Sequence, residues 1–163
     1  MSFTPWYAGQ TITAGRLNGI TPTWQAYTPT WTTSDGLNTP AIGNGSFNCS
    51  YAIFGNTCTL AFEVIFGSTT TFPSGATNNW RFGLPVPAAG LITSIGRAEL
   101  LQSNPIRAGA RMRLTTTGAF ELEIDTGRVD GTAITATGIV DASAPWAWAS
   151  GNAIRGNALY EIG

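Results

Sequence analysis

Strict two-residue alternation, broken once by a Gly-Asn dipeptide, constrains this chain more than any other feature. It runs from Ser46 to Phe66, SFNCSYAIFGNTCTLAFEVIF. Phe47, Cys49, Tyr51 and Ile53 alternate before the break, and Cys58, Leu60, Phe62, Val64 and Phe66 after it. That period is the signature of strands with one buried face. Gly55-Asn56 between them supplies the positive φ angles of a tight hairpin turn. With those two residues as the loop, Phe54 faces Thr57, Ile53 faces Cys58, Tyr51 faces Leu60 and Cys49 faces Phe62. A slip of one residue would turn all these side chains into water, so turn and pattern specify one register. A two-stranded ribbon is marginal alone, and the rest of the chain must cover it.

The remaining sequence has the composition for such a cover. Val, Ile, Thr, Phe, Tyr and Trp dominate the periodic segments, and Gly, Pro and Asn separate them. Only 10% of the residues are charged, and there is neither lysine nor histidine. An all-β fold is expected, an antiparallel β-sandwich of jelly-roll-like form with an irregular N-terminal arm. A net charge of −1 without a basic stretch argues against nucleic acid as partner. No apolar run approaches the roughly 20 residues of a membrane span, so no membrane insertion is expected. MSFTPWYAG has neither the basic region nor the apolar core of a secretory leader, and synthesis in a cytosol is expected. Cys49 and Cys58 share a face of the hairpin but lie four residues apart along it, roughly 13 Å, beyond disulfide reach. They read as buried free thiols.

Residues 1–31 differ in character. Trp6, Tyr7, Ile12, Leu17, Trp24, Tyr27 and Trp31 stand among prolines, with Arg16 as the one charge. Thr13 is placed to cap a short helical turn over residues 14–18 that Gly19 ends. So large an apolar load must lie on something. It either docks on its own domain as a terminal strand and loop or anchors the chain to another subunit or protein. Two units are expected, an anchoring arm over residues 1–31 and a β-sandwich over 32–163. The sandwich should then fold without the arm.

Beyond the first hairpin, residues 67–79 read as a polar surface loop, Trp80 to Leu84 as a strand, and Ile92 to Leu101 as a strand with Gly96 at a bulge. Ala108 to Asp125 reads as a second hairpin with an odd loop, Thr116-Thr117-Gly118, and Gly118 in the left-handed conformation. Arg113 then faces Glu121 and Arg111 faces Glu123 on the solvent side, fixing register more than adding stability. Thr132 to Val140 reads as a strand and Ala153 to Ile162 as the last one. The expected core is Phe47, Tyr51, Ile53, Leu60, Phe62, Val64, Phe82, Leu84, Phe120, Leu122 and Ile124. Trp146 and Trp148, in the loop between the last two strands, share a side. They form either a sugar-stacking platform, to which Trp80 is a further candidate, or core packing, and packing leads because Trp is heavily buried on average.

Chemistry-bearing patterns are missing. Without histidine there is no Ser-His-Asp or Cys-His arrangement and no imidazole metal ligand. Two cysteines make no zinc site. No phosphate-binding glycine loop and no nucleophile elbow occurs. A glycosidase-type carboxylate pair is visible only in space. The expectation is a non-enzyme with no catalytic residue, no metal and no cofactor.

Two stretches carry a resemblance. WYAGQTITAGRLNGI (residues 6–20) resembles a short motif, aromatic-x-AG-x-x-(I/V)-TA-x-x-LN, near the N-terminus of tail and other virion proteins of tailed bacteriophages. WQAYTPTWT, AIGNGSFNCSYAIFGNTCTLAFEVIFGSTTTF and WRFGLPVPA together resemble a β-rich domain of actinobacterial phages. Its pattern runs YTPTWT, NP-x-(I/L)-GNG, a hairpin, GSTT-x-x-GSG and W-x-F-x-LP. This chain departs from it with NTPAIGNG and with an insertion in GSTTTFPSGATNNWRFGLP. The matches cover roughly the first 90 residues. The resemblance implies a minor tail, tail-fibre or head-decorating virion protein with a jelly-roll-like sandwich, often oligomeric, and brings no catalytic residues. On that footing the chain is expected in the virion, as a homo-oligomer (a trimer) in contact with other tail or capsid proteins. Residues 1–31 would anchor it and the sandwich would meet a host-surface glycan. Capsid decoration and a carbohydrate-binding module are the alternatives, with Trp146 and Trp148 as candidate glycan contacts.

Overall fold

The computed structural model describes residues 7–15, 21–37, 39–72, 78–90, 94–102, 106–125, 128–129, 132–133 and 138–163. The chain enters the sheet through two three-residue strands, β1 (Gln25–Tyr27) and β2 (Trp31–Thr33). The hairpin follows as β3 (Ser46–Phe47), β4 (Cys49–Phe54) and β5 (Thr57–Ile65). Its register is the expected one: Phe54 pairs with Thr57, Ile53 with Cys58, Tyr51 with Leu60 and Phe47 with Val64. Gly55 at the tip has φ +59°, the left-handed value that the turn demands of it.

Next come β6 (Trp80–Gly83), β7 (Ser94–Leu101), β8 (Arg107–Thr116) and β9 (Ala119–Ile124). The short β10 (Arg128–Val129), β11 (Thr132–Ala133) and β12 (Gly138–Ile139) precede the closing β13 (Ala153–Glu161). All pairings among these described strands are antiparallel, in the order β1-β4-β5-β13-β7-β8-β9-β6-β2. The last strand of the chain thus lies in the middle of the sheet, between β5 and β7.

The two ends of that order are β1 and β2, and only Thr28-Pro29-Thr30 separates them in the chain. Four Cα steps span at most about 14 Å, so the sheet must curl until its two edges nearly meet. Pro29, buried and without an N–H, suits a crossing segment that joins no ladder. The Gly83 N–H donates to the Thr30 carbonyl at 2.9 Å and ties the crossing to β6. The result is a sandwich-like all-β fold built from one curled antiparallel sheet. Phe62 of β5 meets Phe82 of β6 and Phe120 of β9 across the interior, at centroid distances of 5.0 and 5.4 Å.

Trp31 lies at the centre of the aromatic core. It stacks on Phe66 at 5.4 Å and on Phe82 at 5.9 Å and meets Trp80 edge-on at 4.9 Å. The expected boundary at residue 31 therefore falls inside the fold: Gln25–Tyr27 and Trp31–Thr33 are strands of the sheet. Trp31 meets five aromatic side chains in all, Phe47, Phe66, Phe72, Trp80 and Phe82, and is held as core rather than as an exposed anchor.

Several expectations are corrected. Phe47, Tyr51, Ile53 and Leu84 are only partly buried and flank the core; Tyr51 and Ile53 lie on β4, next to the end strand β1. Gly118 does not adopt the left-handed conformation. The odd residue of the second hairpin is instead a bulge between Leu114 and Thr116, which closes on a tight Thr117-Gly118 turn. Glu121 is buried, not on the solvent side, and takes its bond from Arg81 Nε at 2.7 Å rather than from Arg113 opposite. The Thr132 to Val140 strand is replaced by two short pieces, β11 on β10 and β12 on β9, and residues 134–137 lie outside the described ones. The bulge beside Gly96 is present. A Cβ on Gly96 would meet Asn157 of β13 and one on Gly156 would fall 2.6 Å from the Arg97 carbonyl, so the two glycines let β7 and β13 approach.

Candidate attachment surface

The outer face of the sheet sorts by charge. Across β5, β13, β7, β8 and β9 it carries Glu63, Arg155, Arg97, Glu99, Arg107, Arg111, Glu123 and Asp125, and these pair with one another. Arg155 Nε donates to Glu63 Oε1 at 2.6 Å, Arg97 to Asp125 at 2.6 Å and Arg111 to Glu123 at 2.9 Å. Arg155 and the Asn48 amide, 2.7 Å from Glu63 Oε2, hold that carboxyl below the usual range. Such a face spends its charges on itself and fixes strand register.

At the hairpin-tip end the same face exposes large apolar side chains beside Glu161. Phe54 and Leu159 are 65% and 64% exposed there, and Trp24, one residue ahead of β1, is 56% exposed. Alternation explains their position. Ala158 and Tyr160 of β13, and Ile162 just past its end, turn inward, which leaves Leu159 outward opposite Thr59. A groove of about 340 Å³ opens beside Leu159, walled by Ala88, Ile95, Leu114 and Tyr160. The sequence reading missed Phe54 and Leu159; the available signal was an apolar residue at outward parity in each strand.

The predicted anchors divide. Tyr7 and Ile12 are 65% and 64% exposed and Trp24 is exposed too. Tyr27 is half-buried, edge-on to Tyr51 at 5.9 Å, with its hydroxyl sealed inside. Trp31 is core, which removes it from the surface. Trp6 and Leu17 lie outside the described residues, as does most of the expected helical turn, of which Ala14 and Gly15 are helical. Trp146, Trp148 and Trp80 are buried in the aromatic core, so none offers a ring face to a sugar. Trp148 Nε1 donates to the Asp141 carbonyl at 2.9 Å, and Asp141 Oδ1 accepts from the backbone N–H groups of Ser143 and Ala144 at 2.7 and 2.8 Å.

The resemblance motifs AIGNG and GSTT form a clasp at the opposite end of β5. Asn44 Oδ1 accepts from the Thr69 N–H at 2.9 Å, the Asn44 N–H donates to Thr69 Oγ1 at 2.8 Å, and Thr70 Oγ1 donates to the Ile42 carbonyl at 2.6 Å. A Cβ on Gly43, Gly45 or Gly67 would strike the facing loop. These glycines are there for backbone approach.

Chemistry is sparse. The buried carboxylates, Glu121 and Asp141, are engaged by Arg81 and by the loop backbone. Among the described residues no group of three His, Cys, Asp or Glu is placed to hold a metal. No helix among them is long and apolar enough to cross a membrane. The two thiols are free and buried.

Protein-family models, characterised proteins and solved structures give no match to this chain.

Proposed function

We propose that this chain is a non-enzymatic structural protein of a tailed-bacteriophage virion, attached by its N-terminal arm and displaying the β-sandwich, in a tail-associated role that binds the host surface. One observation carries the reading. Tyr7, Ile12 and Trp24 stay exposed on a segment of low charge, while Trp31 a few residues on is locked into the core. A free chain gains nothing by holding such side chains in water; an assembled one buries them. The resemblance to virion proteins falls on this same segment, WYAGQTITAGRLNGI. Its partners on this reading are other virion proteins and further copies of itself, as a trimer. Host contact then belongs to the Thr/Asn/Gly loops, since Trp80, Trp146 and Trp148 are buried.

The test is incorporation. A chain lacking residues 2–15 should keep its β-sheet circular dichroism and be missing from purified particles, while the full chain is found at the tail. Normal incorporation of the shortened chain overturns attachment by the arm. Absence of the full chain from particles overturns the virion assignment, and density at a capsid vertex or face replaces the tail role with decoration.

A further inference from the structure

We propose that the groove beside Leu159 is a binding site for a lysine side chain of a partner peptide, with the aliphatic stem on the apolar floor and the ammonium on Glu161. The groove exists because the sheet parts there. The rungs between β13 and β7 end at Ala158 and Gly96, next to the bulge in β7. Beyond them the Ala89 N–H donates to the Glu161 carbonyl at 2.9 Å, so residues 88–89 take over as the neighbour of β13. Between these two contacts lies the opening of about 340 Å³, at the small end of ligand pockets. Ala88, Ile95 and Tyr160 form its floor, and Leu159, 64% exposed, stands at its side. The Tyr160 hydroxyl is taken by the Val86 carbonyl at 2.9 Å, so polar contacts to a ligand come from the rim.

Charge selects the ligand. Among the described residues Glu63, Glu99, Glu121, Glu123 and Asp125 each pair with an arginine, and Asp35 and Asp141 are bonded within their own loops. Glu161 is the carboxylate left over, exposed on the rim of the groove. Thr57 lies directly opposite it across the β5–β13 ladder, at about 5 Å between Cβ atoms, and Asn56 precedes Thr57 on the same rim. One end of an apolar groove therefore offers a carboxylate, a hydroxyl and an amide oxygen. An ammonium brings three donors and no acceptor to such a rim, and a lysine stem buries readily while its head stays wet. A wholly apolar segment would cover the carboxylate without pairing it, and an anion would be repelled. The lysine comes from another protein, since this chain has none, and Arg81, Arg97, Arg107, Arg111 and Arg155 are held in ion pairs of their own. Arg113 faces Ser94, on the far wall, and does not pair with Glu161. The groove takes one side chain, so it is the pocket of an anchor residue rather than a whole interface.

The probe is Nα-acetyl-lysine N-methylamide, titrated into the full chain and followed by NMR. The methyl signals of Ile95 and Leu159 and the amides of Thr57 and Glu161 should shift together and saturate. The norleucine analogue keeps the stem and lacks the ammonium, and should bind about tenfold more weakly. Glu161→Gln, at an exposed side chain with no bond to lose, should remove that preference. Arg113→Gln takes away a cation beyond the far wall and should leave binding unchanged or tighter. Equal affinity for the two probes, a Glu161→Gln variant that still prefers lysine, or weaker binding by Arg113→Gln each overturns the proposal. So do shifts centred elsewhere on the chain or shifts that never saturate. The site belongs to the isolated chain, so these outcomes are separate from incorporation into particles, which tests the attachment reading.

Discussion

At the scale of single residues, burial decides the energetics. Phe62 is nearly inaccessible and lies between Phe82 and Phe120, so Phe62→Ala should cost about 3–5 kcal/mol in denaturant unfolding. An unchanged midpoint would contradict the hairpin register. Tyr27 presents the opposite case. Its buried hydroxyl has no partner among the described residues, so Tyr27→Phe removes an unpaid desolvation and should be neutral or stabilising. Burial also pushes the Cys49 thiol up to about 11 and raises Cys58, Tyr27 and Tyr160. The folded chain keeps protons that the unfolded chain releases from about pH 9 upward, so stability is full below that pH and falls as pH rises through about 11. Urea midpoints taken from neutral pH to about pH 10.5 should be level and then decline. A level profile throughout would mean that these groups are solvated.

At the scale of elements, backbone approach matters more than any side chain. The clasp between residues 41–45 and 67–71 closes only because Gly43, Gly45 and Gly67 carry no Cβ. Gly67→Ala places a methyl against Asn44 and the Gly45 N–H, and should cost about 1–3 kcal/mol with exchange of the clasp amides accelerated. Wild-type exchange rates in that variant would show that the loops part without cost. Between β8 and β9 the cross-strand partners are as expected and so is the Arg111–Glu123 ion pair, but Glu121 pairs with Arg81 rather than with Arg113. Glu121 is shared with β6, because β6 pairs with β9 on the side away from β8.

The whole molecule is closed by the three residues Thr28-Pro29-Thr30, which carry the chain from one end of the strand order to the other. Truncation therefore has a sharp limit. Removing residues 2–15 should leave the thermal midpoint of the isolated chain within a few degrees of the full-length value. Removing residues 2–31 takes away β1, the crossing and Trp31 from the aromatic core, and should abolish cooperative unfolding. Equal stability of the two would return the domain boundary to residue 31.

What the sequence by itself determined was local. Alternation and the Gly-Asn turn specified the first hairpin to the residue, apolar parity specified Phe82, Phe120, Leu122 and Ile124 as core, and the spacing of Cys49 and Cys58 excluded a bridge. Each depends on neighbours a few residues apart, where the pleat dictates which way a side chain points. Tertiary structure alone decided the rest. Trp31 and Trp24 lie seven residues apart in the same irregular stretch, yet one is core and the other surface, because the sheet curls over Trp31 and not over Trp24. On the pattern alone Trp146 and Trp148 read as platform or packing, with packing ahead, and Phe66 and Trp80, which meet Trp148 in the interior, decide for packing. Phe54 and Leu159 became a surface only when β4, β5 and β13 aligned side by side. A strand's own pattern records its two faces but not which strand lies beside it, and the curl that brings both sheet ends together is a property of all nine strands at once.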